Sequence, residues 1–130
     1  MISINELRNR IARFPRVQLA HLPTPLEALP NLSRRLRGPS IHLKRDDQTG
    51  LAFGGNKARK LEFIMADALE QGADSIVTWA GVQSNWCRQV SAAAARMGKR
   101  AVLILLKKPG AEVVEDGNLL LDHVFDADVR

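Results

Sequence analysis

The first regular pattern in the chain is Ile4, Leu7 and Ile11, spaced to share one side of a short amphipathic helix within 4–13. The pattern then breaks. Pro15, Pro23, Pro25 and Pro30 remove backbone donors and restrict the residues before them. This predicts an extended or turning course up to Pro25, then a short helix over 26–36 that stops near Gly38. "SIHLKRDD" at 40–47 reads as a strand, and "QTGLAFGGN" at 48–56 as a glycine-rich loop. From Lys57 onward, Leu61, Ile64, Met65, Ala68 and Leu69 follow the i, i+3, i+4, i+7, i+8 spacing of one helix face. Asn56 suits the N-cap of that helix, and Gly72 suits the position just past its end.

The second half alternates strand and helix. "SIVTWA" at 75–80 reads as a buried strand. A helix over 84–97 follows, with Cys87, Val90, Ala94 and Met97 as its stripe and Gly98 as its stop. "AVLILL" at 101–106 is apolar without alternation, the pattern of a strand covered on both faces of a parallel sheet. "DGNLLLDHVF" predicts a third helix, and "ADVR" the opening of another strand. Strands joined through helices by short connections predict an α/β fold, a parallel sheet with flanking helices and right-handed crossovers. Ligands of such folds sit at the carboxyl ends of strands, beside helix N-termini. Two loops have that address: "FGGN" leading into Lys57, and "AGVQSN" after the strand 75–80.

Lys57 stands where peptide dipoles disfavour a positive charge. The neutral amine is the form that attacks carbonyls, and the preceding glycines would let a ligand approach the backbone closely. By its residues alone, the segment is equally a surface lysine in a polar helix start. The second loop offers Gln83, Ser84 and Asn85 at a helix N-terminus, a place receptive to a carboxylate or phosphate. Ser84 also serves as an N-cap with no ligand at all. Trp79 and Trp86 flank this loop, either as core or as pocket walls, while Cys87 reads as a small core residue.

Composition narrows the choice of chemistry. The 130 residues suffice for one domain with a core, and no apolar run approaches the roughly 20 residues that span a bilayer. The N-terminus lacks the continuous apolar stretch of a signal peptide. The single cysteine forbids an intramolecular disulfide and makes the cytoplasm the expected compartment. His21, His42 and His123 lack ligand spacing, so no metal site is expected. The net charge of +5 comes from cations scattered among acids, without tyrosines or an aromatic-interleaved basic patch, so no nucleic-acid partner is expected.

Together, "LPTPLEALPNLS", "IHLKRDDQTGLAFGGNKARKLEF", "ADALEQGADSIVTWAGVQSNWCRQVSAAAARMGKRAVLIL" and "GNLLLD" resemble the D-cysteine desulfhydrase and 1-aminocyclopropane-1-carboxylate (ACC) deaminase family. This is a branch of the fold-type II, tryptophan synthase β-like, pyridoxal-phosphate enzymes. The resemblance runs from about Phe14 to Arg130, and the pairing of "GGNK.RKLE" with "QSN..RQ" is its most specific part. It implies that Lys57 holds pyridoxal 5′-phosphate as a Schiff base and later acts as a base. It implies that Ser84 faces the reaction centre, that Asn85 bonds the cofactor's phenolic oxygen, and that Asn56 is a further cofactor contact. Gln83, Ser84, Asn85 and Trp86 would meet the substrate, a small amino acid whose carboxylate docks at the helix start.

The implied reaction is β-elimination or ring-opening deamination, giving a 2-oxo acid and ammonia, in a complete enzyme that forms a homodimer. Residues 1–57 would be an N-terminal segment of the large domain with the lysine loop, and 58–130 most of the small α/β domain. Two departures stand out. Trp86 occupies a position that is usually histidine, and L-cysteate sulfo-lyases share "LPTPLE" and "GNLLLD", which leaves the substrate open. The chain also stops before the family's phosphate cup, pyridine-nitrogen partner and catalytic tyrosine. The 130 residues alone are therefore expected to be inactive, either as part of a lyase or as a non-catalytic remnant or half of a split enzyme completed by a partner chain.

Overall fold

The computed structural model describes residues 2–130. Its elements in chain order are α1 (Ile4–Ile11), β1 (Leu26–Ala28), α2 (Pro30–Leu36), β2 (His42–Lys44), α3 (Lys57–Glu70), β3 (Ser75–Gly81), α4 (Asn85–Arg96), β4 (Arg100–Leu106), α5 (Gly117–Val124) and β5 (Asp128–Val129). The prolines act as the sequence suggests. Pro30 takes the first turn of α2, where its missing N–H costs nothing, and α2 ends on Arg37 in a left-handed conformation. One expectation fails here. Leu26–Ala28 is a strand, because its backbone groups pair antiparallel with His42–Lys44. The expected strand over 40–47 shrinks to that pairing, and Asp46–Gln48 turns as a 3₁₀ segment.

β3, β4 and β5 form a parallel sheet in that order, with Val77 beside Val102 and Trp79 beside Ile104. A strand order advancing in one direction, with crossovers of one hand, lays both connecting helices on the same face. α4 accordingly packs on β3 and β4, and α5 packs on α4. α3 stacks on α4 and does not reach the other side of the sheet. The expectation that the strands are covered on both faces is therefore corrected. Val77, Trp79, Ile104 and Leu106 are exposed on the second face, whereas Ala101 and Leu103 are buried under α4.

The main core joins Leu19, Ala20 and Leu51 to Ala58, Leu61 and Met65 of α3 and to Val90, Ala92 and Ala93 of α4. The buried stripe of α3 is Ala58, Leu61, Glu62, Met65 and Ala66, rotated from the expected one, with Ile64 and Leu69 exposed. The rotation follows from Glu62, which is 1% exposed and accepts the Leu19 and Ala20 N–H groups at 2.9 and 2.8 Å. Its other oxygen pairs with Arg16. A carboxylate satisfied in this way occupies the core position that apolar spacing assigns to its neighbours.

The termini of the helices match their signals unevenly. Gly72 has φ 71° and closes α3 as a C′ glycine. Asn56 stands at the N-cap position in helical conformation, and its side chain caps nothing. Ser84 does cap α4, its Oγ accepting from the Trp86 and Cys87 amides at 3.1 and 3.3 Å. Among the described residues no helix is long and apolar enough to cross a membrane, and no cluster of three metal-ligating side chains occurs.

Candidate functional site

The loop before Lys57 is shaped by its own contacts. Ala52, Phe53, Gly54 and Gly55 all have positive φ, a run that places strain just ahead of the lysine. Gly54 lies against the Asp47 carbonyl and Gly55 against Gln89, so a Cβ at either would collide with the protein itself. These contacts by themselves require glycine at both positions, whether or not a ligand approaches the loop: backbone meets backbone and helix α4. The buried Thr49 hydroxyl fastens the loop, accepting the Gly55 N–H at 2.8 Å and donating to the Gly55 carbonyl at 2.9 Å. Asp46 holds it from below. Arg59 donates to both Asp46 oxygens at 2.8 and 2.7 Å, and Thr24 donates at 2.9 Å. The Arg59 hydrogen bonds, with Thr24 assisting, lower the Asp46 carboxyl from its ordinary value to about 2.

Two α4 side chains tie this loop to the second one. Arg88 Nη2 and Gln89 Nε2 both donate to the Gly54 carbonyl, at 2.9 and 2.8 Å. They bring Gly54, Gly55, Asn56 and Asn85 around one open cavity of about 370 Å³, also lined by Lys44, Asp46, Asp47 and Phe53. Lys57 stands next to it in sequence, half-buried, with its amine donating to Asn56 Oδ1 at 3.0 Å.

The other residues singled out from sequence are placed differently. Ser84 uses its Oγ as the α4 cap and keeps its O–H as a donor. Gln83 is drawn toward α5: its amide nitrogen donates to the Asp116 carbonyl and carboxylate, and its amide oxygen accepts the Asn118 N–H at 2.8 Å. It borders a separate hollow of about 390 Å³ with Val82 and Lys107. Trp86 is turned inward, its indole N–H donating to Thr78 at 2.8 Å and its ring lying 4.0 Å from the Lys60 amine. Of the residues singled out, Asn56 and Asn85 line the cavity, and Lys57, Gln83, Ser84 and Trp86 are not part of its lining. Cys87 is fully buried, and desolvation pushes its thiol up, as suits a core residue.

Arg88, Gln89 and Asn118 fall within the motifs "QSN..RQ" and "GNLLLD", which by themselves gave them no role; in the structure their side chains link the two loops and α5. Arg88 and Gln89 fall three and four residues after Asn85, hence on its side of the helix, a signal that was available. Asn118 stands in the "GNLLLD" motif, but its pairing with Asn85, 33 positions away, had no signal in the spacing.

The sequence model of the pyridoxal-phosphate dependent enzymes matches residues 17–130. The chain belongs to that family. It is 51% identical over 124 residues to a D-cysteine desulfhydrase of Klebsiella pneumoniae (strain 342), covering 92% of this chain and 37% of the relative. A D-cysteine desulfhydrase of Salmonella paratyphi B is 46% identical over 125 residues, covering 94% of this chain and 38% of its own. A crystal structure of an ACC deaminase homologue superposes with a TM-score of 0.83 at 42% identity, covering 92% of this chain and 35% of that one. The chain thus spans a little over a third of the length of these relatives, and its fold is the corresponding part of theirs.

Pyridoxal phosphate is the cofactor of this family. The donor set here fits it. The Lys57 amine can add to an aldehyde carbon, and Asn85 offers an amide donor for an adjacent oxygen. Among the described residues Asn85 Oδ1 accepts from Arg88 at 3.0 Å and Asn118 at 3.1 Å, while its Nδ2 makes no hydrogen bond.

Proposed function

We propose that this chain supplies the lysine-bearing part of a lyase or deaminase that acts on a small amino acid and yields a 2-oxo acid and ammonia. The observation that carries this reading is the joining of the two motif loops. Arg88 and Gln89 hold the Gly54 carbonyl, which fixes the Lys57 loop against the α4 N-terminus. D-cysteine desulfhydrase-like β-elimination, ACC deaminase-like ring opening and L-cysteate sulfo-lyase-like elimination all suit this frame.

When bound, pyridoxal phosphate supplies the electron sink for a carbanion at the substrate α-carbon. The chain's residues bind and move protons around it. Lys57 Nζ is the attachment point and then the base, with Asn56 Oδ1 as its hydrogen-bond acceptor. Asn85 Nδ2 is a donor to the cofactor. The Ser84 O–H, left free by the cap, is a donor to substrate at the positive end of α4. Residues 1–57 would then belong to the larger domain and 58–130 to the smaller one, in an assembly of two copies.

The deciding experiment is Lys57→Ala in the full-length protein loaded with pyridoxal phosphate. The expected result is loss of the visible band of lysine-bound cofactor and of turnover. A band unchanged from wild type overturns the reading.

A second reading has the site completed by a separate chain. The bare sheet face of Val77, Trp79 and Ile104 favours it. Activity recovered only on adding the remaining part of a relative would support that reading.

A further inference from the structure

Asn85 is useful to an acceptor oxygen only if its amide faces the right way, since one end of the group donates and the other accepts. Its Oδ1 lies between two donors, Arg88 Nη1 at 3.0 Å and Asn118 Nδ2 at 3.1 Å. Turning the amide over would set an NH₂ group against both and forfeit both bonds. Asn118 is itself fixed. Its Nδ2 also donates to the Gln83 carbonyl at 2.8 Å, its backbone N–H donates to Gln83 Oε1 at 2.8 Å, and its Oδ1 accepts from Arg88 at 2.7 Å. Arg88 reaches on to the Gly54 carbonyl at 2.9 Å. One guanidinium therefore spans α4, α5 and the lysine loop.

We infer that Arg88 and Asn118 are positioning residues of the cofactor site: they lock the Asn85 amide with its NH₂ toward the cavity, in register with the loop that carries Lys57. The inference rests on the pyridoxal-phosphate reading of the site. Its physical content is that α5, which lends nothing to the cavity wall, sets the direction of a donor within it.

The test reads the cofactor spectrum. A donor bonded to the phenolic oxygen weakens that oxygen's hold on the neighbouring proton, so losing it raises the apparent pKa of the visible band. In the full-length protein loaded with pyridoxal phosphate, Asn85→Ala is expected to raise that pKa by about one unit, a tenfold change. Asn118→Ala should raise it at least threefold by the same measure. Arg88→Lys, which keeps the charge but cannot span three partners, should move it the same way. The charged groups that line the cavity, Lys44, Asp46, Asp47 and Arg88, are the same in the two asparagine variants, as is Lys57, which leaves the hydrogen bond as the cause.

Ser91→Ala is the control. It removes a buried α4–α5 hydrogen bond, Ser91 to Asp122 at 2.9 Å, without touching Asn85, and should melt earlier yet titrate as wild type. In the Asn85→Ala background, Asn118→Ala should add nothing, because it acts through the missing amide. An Asn118→Ala band that titrates as wild type, or a full additional shift in the double variant, overturns the inference and leaves the cofactor reading intact. A wild-type protein with no visible band removes the cofactor reading, and this inference with it.

Discussion

Gly54 shows how a residue that looks permissive can be obligatory. Its φ of 80° is already in the region that side chains avoid. A methyl group there would also drive into the Asp47 carbonyl, a backbone atom that cannot swing away. The carbonyl of Gly54 is meanwhile the common acceptor of Arg88 and Gln89. Gly54→Ala is therefore expected to cost about 3 kcal/mol or more, combining backbone strain with a steric clash and two weakened hydrogen bonds. Gly98→Ala provides the comparison. It carries a similar positive φ but has open space around it, so only the strain remains, about 1 kcal/mol. Denaturant melts of both variants decide the point, and equal losses would show that the Asp47 contact carries no weight.

At the scale of the element, the short segment Arg16–Ala20 is pinned to α3 through Glu62, and that pin is titratable. Burial alone would push the Glu62 carboxyl up. The Ala20 and Leu19 N–H groups and Arg16 outweigh it and hold the carboxyl below its ordinary value. An acid depressed in the folded state stabilises fully above its unfolded pKa and loses that contribution as pH falls through the folded one. The Glu62 contribution is thus present at neutral pH and lost below the ordinary glutamate range, with Asp46 extending the loss to about pH 2. Asp122 works in the opposite direction. Its carboxyl is raised by burial, only partly offset by Ser91, His123 and Arg88, so it favours the fold at low pH. Glu62→Gln should cost about 2–3 kcal/mol at pH 7 and progressively less toward pH 3, measured by urea melts across pH. A loss independent of pH would mean that shape, not charge, matters there. Glu62 also marks what the sequence conceals. The alternation from α3 to β5 is legible because each element carries its own period, and the lysine loop and α4 start are legible because glycine, asparagine and serine punctuate them. The β1–β2 pair, the rotation of α3 and the Asn118 link are not, because each is decided by a partner far away in the chain: Leu26 by Lys44, Glu62 by Ala20, Asn85 by Asn118.

For the molecule as a whole, the sheet has one finished face and one bare one. The α4 side holds Ala101 and Leu103, while the other side shows Val77 at 64% and Trp79 at 68% exposure, beside Ile104 and Leu106. Parallel sheets are ordinarily covered on both sides, and an apolar array of this kind marks a surface that associates. The two tryptophans report on the two faces separately. Trp86 is half-buried under Lys60 and bonded to Thr78, whereas Trp79 projects from the open face. In the 130-residue chain, Trp86→Phe leaves Trp79 as the sole indole, and its emission should be red-shifted and strongly quenched by iodide. Trp79→Phe leaves Trp86, which should emit to the blue and resist the quencher. In the full-length protein, Trp79 should become as protected as Trp86 if further chain or a second copy lies over Val77 and Ile104. Equal protection already in the 130-residue chain would mean that the chains self-associate through this face. The consequence for the proposed site is direct, because β3 leads from Trp79 through Gly81 into the Gln83–Asn85 turn. Cover on that face therefore steadies the strand end from which Ser84 and Asn85 are presented.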